Sequence, residues 1–464
     1  MSLSSYMYTF DDIIERGSLV HATVHHKGGM TERHKVSVGA SDTNFLFRRV
    51  AELPSTAADF IDLGIAVVVA DRLTIRHNHE PCRIHIELSM RHPEVFQRAN
   101  VVDSLQKLLN WYTRDLWSFS FRERRGKRRL SEIQSVLPFL ADPDKTVEVT
   151  LWSGGLDAFA GLHTRFTQQT ADQYVLFGTG MNSQVHRLQS RTATKLPDEL
   201  ARVAELIRLP ILWAAPKLPE RNKAQRARGF VFLILGAACA IAHDQDQLVV
   251  YENGVGAINL PYRDSEIGLD HARSVHPLSL VRMSNFVSEV LGKKFKFVNP
   301  FLFHTKAQMC ESLTDPNVQR LAFTTITCDS LDRTVRHRPI RQCGKCSSCL
   351  LRRQAFAVVG IHDQTPYVHH AISRSERYLH FGAMLDQVET LRSLIQVASP
   401  WRSITRKYGK LQSIADHVAV EQNIELGTVE QQLLQMYTRY VGEWDSVRTE
   451  IGHQLTKKRP LTVV

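Results

Sequence analysis

The amino-acid sequence predicts an α/β protein: a parallel sheet with helices on both faces, preceded by a mixed α+β domain and followed by a helical region. Three observations lead there. Between Thr146 and about Pro300, the apolar runs Val147–Trp152, Tyr174–Phe177, Ile211–Ala214 and Leu248–Tyr251 have the continuous hydrophobicity of strands buried on both faces. The segments between them carry helical spacing, as in Leu156, Phe159, Leu162 and Phe166, and again over Phe230–His243. Strands that alternate with helices build parallel sheets. The third observation is the spacing of Leu379, Met384, Leu391, Leu394 and Ile395, then Leu433, Leu434, Tyr437 and Val441, which predicts helices toward the C-terminus.

Before the sheet, short apolar stretches at Ser18–Val24, Ile65–Ala70 and Arg83–Leu88 mark a mixed, partly β-rich region, with a helix over Val101–Tyr112. The run Arg122–Arg129 holds six basic residues and one acid, and an Ala141–Lys145 turn closes the region. The expected division is 1–145, a mixed α+β domain; 146–363, the sheet and a cysteine-rich segment; and 364–464, helical.

Composition bounds the rest. The chain has 464 residues, 43% hydrophobic and 23% charged, near the globular average, which excludes wholesale disorder and collagen-like repeats. A formal charge of +11 favours anionic partners such as nucleotides, nucleic acid or acidic protein surfaces without choosing among them. The basic run reads as a solvated loop, with docking or nucleic-acid binding as its functional alternatives. No stretch approaches the ~18–20 apolar residues of a membrane span. The N-terminal residues lack the basic-then-apolar order of a secretory signal, so a cytoplasmic location is expected.

Two constellations carry chemistry. The first is Ser153-Gly154-Gly155-Leu156-Asp157, directly after a strand and opening a helix. Such a turn lies at the carboxyl end of a strand, where open α/β sheets bind ligands. Adjacent glycines let the backbone approach a phosphate, and the helix start presents unpaired amides and partial positive charge to it. Ser153 adds a hydroxyl, and Asp157 suits Mg²⁺ binding or orients the loop from within. The GxxxxGK[ST] phosphate loop is absent.

The second is Cys328, Cys343, Cys346 and Cys349, four thiols spaced to enclose one tetrahedral Zn²⁺. With every position taken by sulfur, such a zinc is structural. Gly344 and Lys345 relieve the turn and offset part of the negative charge. Cys82, Cys239 and Cys310 lie apart and read as small buried apolar side chains.

The strand, Ser153–Asp157 and helix together resemble the PP-loop of ATP pyrophosphatases, a fold of the adenine nucleotide alpha hydrolase kind. Ala158 stands where that loop usually has Ser. Gln342-Cys343-Gly344-Lys345-Cys346-Ser347-Ser348-Cys349-Leu350-Leu351-Arg352 resembles the zinc segment of the 7-cyano-7-deazaguanine synthase (QueC) family. Ala227–Leu233 resembles that family's GRNxxFLS helix start, with Gly229 in place of Asn, and Thr305–Gln308 resembles its SKAE segment. The likeness covers roughly residues 146–360. It implies an enzyme that activates 7-carboxy-7-deazaguanine with ATP and lets an amine displace AMP. It further implies that Ser153, Gly154, Gly155, Leu156 and Asp157 hold ATP or its Mg²⁺, and that Arg228 and Lys306 neutralise phosphate charge.

Where the synthases carry a DxSGYPDCR-like stretch, this chain has Tyr251–Arg263. Glu252, Asn253 and Gly254 either line a base-sized pocket or simply cap the strand and turn the chain. The long flanks resemble those of divergent QueC-like proteins in bacterial anti-phage operons, among them the Qat system. That likeness implies transfer of the deazaguanine to an amine of a partner protein rather than to ammonia. A PP-loop enzyme modifying tRNA and a non-catalytic nucleotide-binding scaffold remain alternatives.

Overall fold

The computed structural model describes residues 3–14, 17–25, 30–42, 53–76, 80–133, 145–214, 225–267, 273–329 and 341–456. Among the described residues ten strands form one sheet: β1 (Ser5–Phe10), β2 (Ser18–His25), β3 (Thr31–Ala40), β4 (Arg83–Met90), β5 (Leu116–Glu123), β6 (Val147–Leu151), β7 (Gln173–Gly180), β8 (Ala204–Ala214), β9 (Gln247–Val249) and β10 (Lys296–Val298). Their order is β10-β9-β6-β7-β8-β3-β2-β1-β4-β5. The half from β10 to β8 is parallel throughout, as the alternating pattern predicts. β3 then pairs antiparallel with β8, Val38 opposite Trp213, so the N-terminal strands continue the same sheet.

The main helices are α1 (Ser55–Leu73), α2 (Ala99–Thr113), α3 (Leu156–Thr167), α4 (Ser183–Ala193), α5 (Arg228–Ala242), α6 (Gly254–Ile258) and α7 (Pro277–Leu291). They continue with α8 (Lys306–Cys310), α9 (Ser347–Val358), α10 (Ala383–Ile395), α11 (Pro400–Lys407), α12 (Lys410–Gln422) and α13 (Leu426–Gln454). Side chains of β7 alternate between two cores. Val175 and Phe177 join the one under α1, α2, α5 and α7, whereas Tyr174 and Leu176 join the one under α3 and α8. A third core unites α10–α13 with Val255, Ile258, Leu302 and Leu350, so the C-terminal helices pack directly on the loops beyond the strand ends. Among the described residues no helix is long and apolar enough to cross a membrane.

Two expectations need correction. Ile65–Ala70 is not part of a β-rich stretch but the interior of α1, a helix buried on nearly every side. Such a helix is apolar all round and lacks the amphipathic period that would announce it. Gly64 lets it approach α5, where an added Cβ would lie 3.0 Å from Ile234 and Leu235. The basic run Arg122–Arg129, in turn, is not simply solvated. Arg129 is fully buried and pairs with Asp62 at 2.5 Å, Arg124 reaches Asp62 at 3.0 Å, and Arg122 donates to Ser89 and to the carbonyl of Phe10. Arg91 completes the network through Asp59, Asp62 and Glu132. Breaking a buried pair strands the remaining charge, so Arg129→Ala is expected to cost about 3–5 kcal/mol of stability. Urea denaturation reads this; a loss below ~1 kcal/mol would mark the pairing as no stronger than a surface one. The Ala141–Lys145 turn lies largely outside the described residues.

Candidate active site

β6 ends at Leu151, and Trp152 anchors the start of the glycine turn by donating its indole N–H to the Gln189 carbonyl at 3.0 Å. Gly154 has φ +73°, the left-handed region that glycine tolerates. A Cβ there would also meet the Leu188 carbonyl of α4 at 3.1 Å. A Cβ on Gly155 would meet Thr327 at 2.9 Å and the Ile326 carbonyl at 3.3 Å. The two glycines are thus needed because the loop is clamped between α4 and the segment entering the cysteine cluster. Ser153 is exposed at the mouth, its hydroxyl oxygen accepting from the Gly155 amide at 3.1 Å. Leu156 opens α3 with its side chain wholly buried, and Gly155 caps that helix without a side chain, leaving first-turn amides unpaired by a cap.

Asp157 lies at the base of this turn. Its carboxylate forms an ion pair with the Lys306 ammonium and accepts from Asn253 Nδ2 at 3.1 Å. Asn253 Nδ2 also donates to Glu252 at 2.9 Å, and its Oδ1 accepts from the Gly256 amide at 2.8 Å. Asn253 therefore caps α6 and at the same time faces the charged cluster. Burial and the neighbouring Asp157 charge push the Glu252 carboxyl up to about 8, against the pull of Lys306. Burial would lower Lys306, but the Asp157 and Glu252 carboxylates outweigh it and hold the ammonium above its usual range. Thr305, the cap before Lys306, accepts from the Gln308 amide while Gln308 returns its side-chain oxygen to the Thr305 amide.

The structure so brings together Asp157, Glu252, Asn253 and Lys306 from three separate stretches of chain. Gly254 has a packing role: an added Cβ would collide with the Leu302 carbonyl and approach Met436 Sδ at 2.4 Å. Arg228 stands at the exposed start of α5, its guanidinium 4.9 Å over the Phe232 ring. Ala158 is buried in the first turn of α3. Sequence reasoning missed Asp329, whose charge helps raise Glu252 and which accepts from Ser347 and Ser348. Its one available signal was adjacency to Cys328.

Cys328, Cys343, Cys346 and Cys349 are buried, with sulfurs all within 4.8 Å of one another. Zinc–sulfur bonds of about 2.3 Å arranged tetrahedrally put sulfurs ~3.8 Å apart. The pairs Cys328–Cys346 and Cys343–Cys349 are at 3.9 and 3.8 Å, so the four residues fit the ion. Backbone amides of Lys345 and Cys346 point at the Cys343 sulfur, and the Cys343 amide at that of Cys328. Gly344 takes φ +84°, with its Cα facing the His369 carbonyl at a distance no Cβ would permit. Lys345 pairs with Glu376 at 2.5 Å. The buried Arg352 of α9 donates to the Thr325 carbonyl at 3.0 Å and hydroxyl at 2.6 Å. The cysteine segment thereby braces residues 325–327 against the glycine turn.

Residues 226–360 match the family model of the queuosine biosynthesis protein QueC. That stretch holds Arg228, Glu252–Gly254, Lys306 and all four cysteines, while Ser153–Asp157 precedes it. The chain is also similar to the 7-cyano-7-deazaguanine synthase of Pseudomonas aeruginosa strain UCBPP-PA14, at 27% identity over 237 residues, 47% of this chain and 97% of the synthase. The synthase of Pseudomonas paraeruginosa strain PA7 matches to the same extent. That of Acinetobacter baylyi is 28% identical over 144 residues, 31% of this chain and 56% of its own. The QueC likeness therefore spans nearly the whole length of the Pseudomonas synthases in about half of this chain.

Proposed function

We propose that the protein is a QueC-like enzyme that adenylates a carboxylate with ATP and passes the acyl group to an amine. The observation that carries this reading is the ion pair of Lys306 with Asp157 at the base of the glycine turn, with Glu252 joined to the same group through Asn253. A fixed cation is thereby held beside the loop whose amides would cradle phosphates. Ser153, Gly154, Gly155 and Leu156 would bind the triphosphate through hydroxyl and backbone N–H groups. Asp157 would hold the accompanying Mg²⁺ or orient the loop; its bonds to Lys306 and Asn253 favour orientation. Lys306 would stabilise charge as it develops on the phosphates. Arg228, at the start of α5, would serve the same end.

In the reaction, a carboxylate oxygen of the substrate attacks the α-phosphorus and the bond to the bridging oxygen breaks, releasing pyrophosphate. An amine then attacks the acyl carbon, AMP leaves with the bonding pair, and the nitrogen loses a proton. Similarity to the synthases makes 7-carboxy-7-deazaguanine the acid of choice, with Glu252 and Asn253 offering polar edges to its base. A neutral Glu252 carboxyl could donate as well as accept there. Zinc held by the four cysteines would supply structure, since four thiolates leave no position for a catalytic water. Because about half of the chain lies outside the likeness, we assign the amine to a partner protein of an anti-phage operon, with ammonia as the alternative acceptor.

The test is AMP release from ATP, stimulated by the deazaguanine acid and reduced by Asp157→Ala. Mass spectrometry of operon proteins after incubation with ATP and the acid would show the acceptor as a covalent mass gain. A free nitrile product would indicate the ordinary synthase reaction, and turnover indifferent to every such acid would overturn the substrate. Tight ATP binding without AMP under any condition would identify a scaffold, the reading that Ala158 favours.

A further inference from the structure

The C-terminal helix α13 reaches the base of the candidate site through one carboxylate. Glu443, 8% exposed, accepts from the Thr305 hydroxyl at 2.6 Å on one oxygen and from Gln354 Nε2 at 3.0 Å on the other. Thr305 caps α8 and immediately precedes Lys306; Gln354 lies on α9, the helix that begins within the cysteine segment. Two turns earlier on α13, Met436 fills the space left by Gly254, next to Glu252 and Asn253. One helix thus fixes both the lysine cap and the loop bearing the two polar residues opposite it.

We propose that Glu443 is a positioning residue for Lys306. It fixes the rotamer of the capping hydroxyl, which sets the start of α8 and so the direction in which Lys306 leaves the backbone. This rests on the functional reading of the Lys306–Asp157–Glu252 cluster. α8 is a single short turn, and its cap is held from outside by α13; without that anchor the hydroxyl would be free to turn away from the Gln308 amide. The helical C-terminal region is then part of the catalytic unit rather than an appendage to it.

The experiment compares Glu443→Ala and Glu443→Gln in two ways. Hydrogen exchange over residues 304–311 of the nucleotide-free protein should quicken in Glu443→Ala and stay near the parent in Glu443→Gln, whose amide oxygen still accepts from Thr305. AMP release should fall roughly ten- to hundredfold in kcat for Glu443→Ala with KM for ATP little changed, since misplacement affects the transition state more than ground-state binding. The Gln variant should recover most of that loss. In a Lys306→Met background, Glu443→Ala should cost nothing further. Unchanged exchange at 304–311, or an equal kcat loss with Lys306 absent, overturns the proposal. Parent protein that never forms AMP overturns the functional reading together with the kinetic half of this proposal, while the exchange result still decides the link to α8. Glu443→Met, which keeps the volume but cannot accept from Thr305, leaves the cap hydroxyl in place and keeps the test readable should Glu443→Ala not fold.

Discussion

Cys346→Ser is expected to abolish zinc binding and, with it, the folded state of the segment that braces the glycine turn. Linkage sets the magnitude. Structural zinc binding is worth about 10–16 kcal/mol near neutral pH, and a site that exists only in the folded chain feeds that energy into folding. Whole domains are stable by only about 5–15 kcal/mol. The consequence should extend beyond the cysteines. Residues 325–327 are pinned to α9 by Arg352 and present Thr327 and Ile326 to Gly155. Loss of the metal should therefore weaken ATP binding through these residues. Metal analysis, limited proteolysis and nucleotide titration would measure the three effects. Cys239→Ser is the control, because Cys239 is buried in the helix α5, away from the cluster. Cys346→Ser protein that keeps zinc, or zinc-free protein that resists protease as the parent does, would remove the structural role assigned to the ion.

What could be read from the sequence divides by how local the cause is. The glycine turn is a contiguous motif and three of the four clustered cysteines fall within seven residues, so both could be read locally, and the structure places the turn after β6 and gathers the four thiols. The strands β6, β7 and β9 were legible as apolar runs, whereas the parallel part of β8, Ala204–Pro210, precedes the expected run Ile211–Ala214 and is only half-buried, and the short β10 was not expected. The junction of β3 with β8 was not, because pairing between strands more than 160 residues apart leaves no local trace. Arg124 and Arg129 read as solvated because their partner, Asp62, lies more than 60 residues upstream. Glu443 carries no signal in the sequence; only the packing of α13 on α8 and α9 makes it a buried acceptor. Lys306 is the instructive case. A lysine at a helix start is ordinarily a surface residue, and its burial against Asp157 is visible only once three distant stretches meet.

Lys306→Met should be the most damaging single change at the site itself. The side chain nearly matches in volume, so the loss is one of charge. Asp157 would keep a buried carboxylate with only Asn253 to satisfy it, a deficit of about 3–5 kcal/mol when one partner of a buried pair is removed. Removing preorganised positive charge from a transition state typically costs about 10²–10³ in kcat, and AMP release should fall by that order. A pH signature accompanies it. Glu252 ionises at about 8, against an ordinary 4.5, because burial and Asp157 disfavour its charged form. Between those values the folded chain holds a proton that the unfolded chain has released, so stability declines as pH rises across this window. The favourable contribution is complete below 4.5 and exhausted above 8. Activity that needs the neutral carboxyl should show an alkaline limb near 8 that Glu252→Gln removes. Lys306 draws Glu252 downward, so Lys306→Met should move the limb to higher pH in whatever activity remains. AMP-release rates across about pH 6–9.5, with urea stability at each point, would measure both. An alkaline limb identical in Glu252→Gln would show that another group sets it, and an unshifted limb in Lys306→Met would show that the lysine does not act on Glu252.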